Sequence, residues 1–276
     1  MRGARVSERS ARRYRWLGSA LRAVLATVAE VAVQTAADAQ RFEELGVPVA
    51  RIRVTGNLKA DLAVPQTVFD NGLRLRAMLA PHRPVWVAGS THEVEEQQVL
   101  QAHRAVRRTH PSALLVLVPR HPRRFAAVAE WLQREQVAFA RQSLAQPVTE
   151  ATEVLLVDTL GQLLDFYAAG DVAFVGGSLV QVGGHNLLEP AALSRPVLTG
   201  PYHANAREIL QTLLAADGVR VVSDAVQLGR AVSELLADAG ARQRMGAQAL
   251  RIVTANRGSS AQVIGLLAPL LERRPA

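Results

Sequence analysis

Six short apolar runs recur through the last two thirds of the chain: Val85 to Ala88, Leu114 to Val118, Val154 to Val157, Val172 to Val175, Val197 to Thr199 and Val219 to Val222. Helical patterns separate most of them. A continuous apolar run is what a strand needs when helices cover both faces of its sheet, and strands alternating with helices build a doubly wound, mostly parallel sheet. The expected fold is therefore α/β and Rossmann-like. Ligands of such sheets bind at the carboxyl ends of the strands, so the residues that follow each run are the candidates for function.

The most informative strand end is DVAFVGGSLVQVGGHNLLEPAALSRPVLTGPYHAN, from Asp171 to Asn205. The glycine pairs Gly176-Gly177 and Gly183-Gly184 let backbone come close to a ligand, and His185, Asn186 and Glu189 place polar groups where a helix begins. This strand, glycine loop and helix start point to phosphate or nucleotide binding. After the first run, Ser90 and Glu93 have the spacing of a capping box, with Thr91 and His92 free to face the ligand. After the second come Pro119, Arg120, His121 and Pro122; the prolines stiffen the segment, and a guanidinium held there suits a phosphate or carboxylate. Arg123 and Arg124 are expected to be solvated. After the third, Asp158 or Thr159 is placed to cap a helix, while Gly161 between Leu160 and Gln162 allows a ligand near its first turn.

The rest of the chain excludes several classes. With no cysteine, neither a disulfide framework nor a thiolate metal site is available. No nucleophile elbow, Ser/His/Asp set or H-E-x-x-H signature occurs, which disfavours covalent hydrolysis and zinc chemistry. No run of about 18 apolar residues is present to span a bilayer. Arg2, Arg5, Arg9, Arg12, Arg13, Arg15 and Arg22 face a single acid, Glu8, a bias that suits an anionic surface. Aromatics make up only 4% of the chain, so base stacking and nucleic-acid binding are not expected. Before residue 57, two short β/α units, with Thr35 as a helix cap, are too few for a stable sheet of their own. The proline- and glycine-containing stretch to Pro84 reads as a linker.

VTGNLKADL (Val54 to Leu62), AGSTHEVEE (Ala88 to Glu96), LVPRHPRRF (Leu117 to Phe125), the segment from Val157 to Ala192 and GPYHAN (Gly200 to Asn205) together resemble the 3-deoxy-D-manno-octulosonic acid (Kdo) transferases. ARVSERSARRY (Ala4 to Tyr14) is similar to a mid-chain segment of that family. The resemblance implies a GT-B glycosyltransferase that moves Kdo from CMP-Kdo to a lipid A precursor, with inversion and with neither metal nor other cofactor. It divides the chain into an N-terminal-lobe remnant (1–60), an interlobe linker (61–84) and a C-terminal donor lobe (85–276). Carried over, the CMP contacts are Pro119, Arg120, Leu160, Gly161, Gln162, Asn186, Leu187, Leu188 and Glu189, with Ser178, Gly184 and His185 lining the same cleft.

The chain departs from the family pattern at Gln162 (usually glutamate), Leu187 (usually proline) and Val94 (usually glycine). The resemblance also places a membrane anchor, the acceptor site and a glutamate general base ahead of this sequence. The expectation is thus a truncated Kdo transferase with no catalytic residue of its own, working in the cytoplasm or, at full length, on the cytoplasmic face of the inner membrane. A non-catalytic CMP-binding remnant and a nucleotide-sugar 2-epimerase are the alternatives.

Overall fold

A computed structural model describes residues 18–56 and 61–272. The arginine-rich start up to Arg15, the Ala4–Tyr14 segment and residues 57–60 of VTGNLKADL lie outside the described residues. The chain forms two compact units, residues 1–63 with 253–276, and residues 64–252.

In the first unit, α1 (Gly18–Ala26), β1 (Val31–Val33), α2 (Ala36–Glu44) and β2 (Ile52–Val54) follow one another, and β1 pairs with β2 in parallel. Thr35 caps α2 as expected, its hydroxyl accepting from the Asp38 N–H at 3.1 Å. Leu25, Val31, Val33, Phe42, Leu45 and Val47 form a small core. The C-terminal residues belong here too: Asp61 accepts from the N–H groups of Gly258 and Ser260, near the start of α11 (Ser259–Glu272).

The second unit opens with α3 (Gln66–Leu79), which packs on α6 (Leu163–Ala169). Asn71 bonds to Asp165, and Arg76 bridges to Asp171 at 2.9 Å. Residues 64–84 cluster with this unit, and residues 253–272 with the first.

The elements that follow along the chain are β3 (Val85–Thr91), α4 (Glu95–Thr109), β4 (Leu114–Pro119), α5 (Phe125–Arg134), β5 (Phe139–Arg141), β6 (Val154–Leu156), β7 (Val172–Val175), α7 (Leu188–Ala192), β8 (Val197–Thr199), α8 (Arg207–Ala215), β9 (Val219–Val221), α9 (Ala225–Ala237) and α10 (Ala239–Ala255). The seven strands form one parallel sheet in the order β5-β6-β4-β3-β7-β8-β9. Each of the six expected runs is a strand; β5 was not foreseen. Trp86, Leu115, Leu117, Leu156, Phe174 and Leu198 are buried in a core shared with α4, α5 and α9. The order turns back at β3, with β4 on one side and β7 on the other, so the loops leaving β3 and β7 diverge and open a crevice at their carboxyl ends.

Candidate functional site

At this switch point the first residue of α4 bridges the two diverging loops. The side chain of Glu95 is fully buried, and its carboxylate gathers four backbone donors. Oε2 accepts from Gly177 at 2.7 Å and His92 at 3.2 Å, and Oε1 from Leu179 at 2.9 Å and Ser178 at 3.0 Å. The glycine loop after β7 does offer a nest of N–H groups suited to an anion. The anion it holds is a carboxylate of the protein itself, so the phosphate-loop reading of Gly176-Gly177 is corrected: those donors are occupied.

The capping box is corrected as well. Ser90 sits in β3 with φ 56°, a bulge that shifts the β3–β4 register, and α4 starts at Glu95. The reach-back hydrogen bond exists, but its acceptor is Glu95, not Glu93, and its donor is the His92 N–H, not that of Ser90. Val94, preceding the helix, has φ 70°, left-handed backbone that favours glycine. Thr91 is buried.

The histidines of the two loops meet above this anchor. His92 and His185 approach Nε2 to Nε2 at 2.8 Å with rings 6° from parallel, and His121 stands edge-on to His92 with centroids 5.2 Å apart. Burial lowers the pKa of His92, and His121, Arg120 and Arg124 push it the same way. Burial likewise lowers His185 to about 4, helped by His92, Arg120 and His121. Both shifts favour the neutral imidazole. Gly177 carries the pair from below. Its φ is +66°, and a Cβ there would stand 2.8 Å from His185 Cδ2.

Arg120 is exposed just after β4, its N–H bonded to the Thr91 carbonyl, and its charge acts on His92, His185 and Glu189. Arg124 is not solvated: it pairs with Glu96 at 2.9 Å and Glu93 at 3.2 Å. Burial raises Glu96 to about 7 against the pull of Arg124. Asn186 accepts from the Leu188 N–H at 3.1 Å and donates to Glu189 at 3.3 Å, closing the first turn of α7. Burial raises the pKa of Glu189, with Asn186 and Arg120 opposing.

Several expected contacts are turned inward. Leu187 and Leu188 are buried in the core, and the Leu188 N–H is taken by Asn186. Ser178 does not line the cleft. It is fully buried, its hydroxyl donating to Val175 O at 2.6 Å and accepting from Gly200 N at 2.8 Å. Gly184 is spent on the loop itself, its N–H bonded to Gly177 O and its α-carbon against the Tyr202–His203 backbone. Pro119 is buried as the last residue of β4.

On the loop after β6, Leu160 is exposed, Gly161 has φ +84° with open space where a Cβ would stand, and Gln162 accepts from the Thr159 hydroxyl at 2.6 Å. Neither Asp158 nor Thr159 caps α6. Asp158 is buried and braces the edge of the sheet, accepting from Arg141 and from the Ser143 N–H and hydroxyl. Burial opposes its charge, yet those donors prevail and hold its pKa below the ordinary value.

Glu95 and His121 are the residues that sequence reasoning passed over. Three acids follow β3 (Glu93, Glu95, Glu96), and spacing alone favoured the wrong one; the bulge at Ser90, which moves the helix start, has no sequence signature. Among the described residues, no group of three or more His, Cys, Asp or Glu could hold a metal ion, and no helix is long and apolar enough to cross a membrane.

A seven-stranded parallel sheet with its polar residues gathered at the switch point has the Rossmann-like fold of a GT-B lobe. Residues 1–62 match the family model for 3-deoxy-D-manno-octulosonic-acid transferase (kdotransferase). The chain is 40% identical over 271 residues to the 3-deoxy-D-manno-octulosonic acid transferase of Haemophilus influenzae, covering 98% of this chain and 64% of the relative. It is 37% identical over 272 residues to that of Bordetella pertussis, covering 96% of this chain and 62% of the relative. The crystal structure of the C-terminal CMP-Kdo binding domain of WaaA from Acinetobacter baumannii superposes with a TM-score of 0.65 at 33% identity, over 68% of this chain and 99% of that domain. The chain belongs to the Kdo transferase family. It spans less than two thirds of the length of the curated relatives it matches.

Proposed function

We propose that residues 64–252 are the donor lobe of a Kdo transferase and take the CMP part of CMP-Kdo at the carboxyl ends of β3, β4, β6 and β7. The observation that carries this reading is the gathering of His92, Arg120, His185, Asn186 and Glu189 around one switch point, in a chain 33% identical to the CMP-Kdo binding domain of WaaA from Acinetobacter baumannii. Arg120 is the phosphate ligand, an exposed guanidinium fork on a stiff segment. Exposed Leu160 beside the bare backbone of Gly161 is a platform for the cytosine ring. Glu189, oriented by Asn186, takes ribose hydroxyls.

In the transfer, the acceptor hydroxyl gives its proton to a base outside this lobe and attacks the anomeric carbon of Kdo, and CMP departs with the electron pair of the broken bond. This lobe stabilises the departing phosphate through Arg120 and its histidine neighbours. It supplies no base, and the proposal needs no metal. The whole enzyme uses CMP-Kdo as donor and a lipid A precursor as acceptor, at the cytoplasmic face of the inner membrane. Titration of the chain with CMP and with UMP, followed by calorimetry, tests the reading. It predicts saturable binding of CMP and weaker binding of UMP; a folded chain that binds neither refutes it.

A further inference from the structure

The contact between His92 and His185 crosses the switch point, and its geometry restricts its protonation. Two imidazole nitrogens 2.8 Å apart form a hydrogen bond only when one Nε2 carries a proton and the other presents its lone pair. The pair thus shares one proton between the two Nε2 atoms. Glu95 sets their spacing, because its carboxylate fixes the backbone N–H of His92 and that of Gly177, the residue on which the His185 ring rests. The groups acting on the pair are His121, edge-on to His92, Arg120, which reaches both rings, and Arg124 on the side of His92. Glu95 lies beneath, with both its oxygens already engaged by N–H groups.

We propose that this pair couples anion uptake to proton uptake, with Glu95 as the positioning residue that keeps the two rings in register. While the site is empty the pair is neutral. When a phosphate or carboxylate arrives, one proton is taken from solvent onto the free Nε2, the bridge between the rings breaks, and each Nε2–H donates to an oxygen of the anion. The inference rests on the donor-lobe reading and adds a proton to it. The lowered pKa of both rings agrees with a neutral empty pair.

The sign follows from linkage. A group that gains protons on binding strengthens that binding as pH falls, by at most about tenfold per pH unit for one proton. Calorimetry of the 276-residue chain with CMP, cytidine and free Kdo, in buffers of different ionisation enthalpy, tests the proposal. The expected result is proton uptake with an anionic probe and none with cytidine, and affinity rising about fivefold to tenfold from pH 8 to pH 6.5. Uptake with CMP identifies the phosphate as the anion; uptake with Kdo alone identifies the carboxylate.

His92→Gln and His185→Gln should bind more weakly, with no proton uptake and a flat pH profile. Glu95→Gln, provided its circular dichroism shows it folded, should flatten the profile in the same way, an effect that loss of stability alone would not produce. Binding with no proton uptake for either CMP or Kdo, or an unchanged pH slope in both histidine variants, overturns the proposal and leaves the donor-lobe reading standing. A folded chain that binds neither CMP nor Kdo overturns both.

Discussion

Replacing Glu95 is the substitution whose consequences the structure defines best. Each carboxylate oxygen serves two backbone donors, Oε2 those of His92 and Gly177, Oε1 those of Ser178 and Leu179. The side chain is fully buried, and Gly177, Ser178 and Leu179 are buried with it. In Glu95→Gln one oxygen becomes an NH2 group, so two of these N–H groups face a donor. A buried donor left without an acceptor costs about 1 to 3 kcal/mol, which puts Glu95→Gln near 3 kcal/mol. Glu95→Ala strands all four donors but opens room for water, which limits the loss to about 5 kcal/mol. Both are large fractions of the 5 to 15 kcal/mol typical of a domain. Urea denaturation followed by tryptophan fluorescence reads the loss, with buried Trp86 as reporter. A loss below about 1 kcal/mol for Glu95→Gln, or no further loss for Glu95→Ala, would refute the assignment of Glu95 as the anchor of both loops.

Two further outcomes follow from the same geometry. Gly177→Ala forces an alanine to φ +66° and sets its Cβ 2.8 Å from His185, so we expect a loss of about 1 to 2 kcal/mol in thermal unfolding together with weakened CMP binding. His103 is buried, its Nδ1 accepting from Trp86 Nε1–H and its Nε2–H donating to the Glu153 carbonyl, and burial lowers its pKa to about 3. A histidine with a depressed folded pKa gives stability that is present above its unfolded pKa, near 6.5, and is lost as pH falls; we expect about 2 to 3 kcal/mol less stability at pH 4.5 than at pH 6.5 from His103, reduced by most of that in His103→Gln.

Much of the sheet was legible because its strands are buried on both faces and so read as uninterrupted apolar runs. β7 and β8 fall on the residues foreseen, Val172–Val175 and Val197–Thr199. β5 escaped because it is a three-residue edge strand, Phe139–Arg141, with only its middle residue buried; neither hydrophobic run nor alternation marks it. The helix start after β3 was misread because two left-handed residues, Ser90 and Val94, carry side chains that ordinarily avoid that conformation. Where glycine would have signalled the turn, serine and valine conceal it.

The site was legible as a set of strand ends and much less so as contacts. Arg120, His185, Asn186 and Glu189 come together at the switch point because parallel topology brings every carboxyl end to one side. Ser178 and Leu187 belong to the same segments but face the core, and a one-dimensional pattern of short loops does not tell which side a residue takes. The glycine pairs were read as a phosphate loop; the Gly177 N–H does join those of Ser178 and Leu179 in an anion nest, but not for a phosphate. That the nest is filled from within, by a carboxylate 82 positions earlier than Gly177, follows only from the fold.

The central claim is that this strand-end cluster receives the CMP part of the donor through Arg120. Calorimetric titration of CMP into the folded chain and into Arg120→Ala tests it most directly. The account predicts saturable binding by the native chain, weakened in the variant by about 1.5 to 3 kcal/mol, as expected for loss of a charge-assisted contact to phosphate. Equal affinity in both proteins, or no binding by a chain shown to be folded, would contradict it.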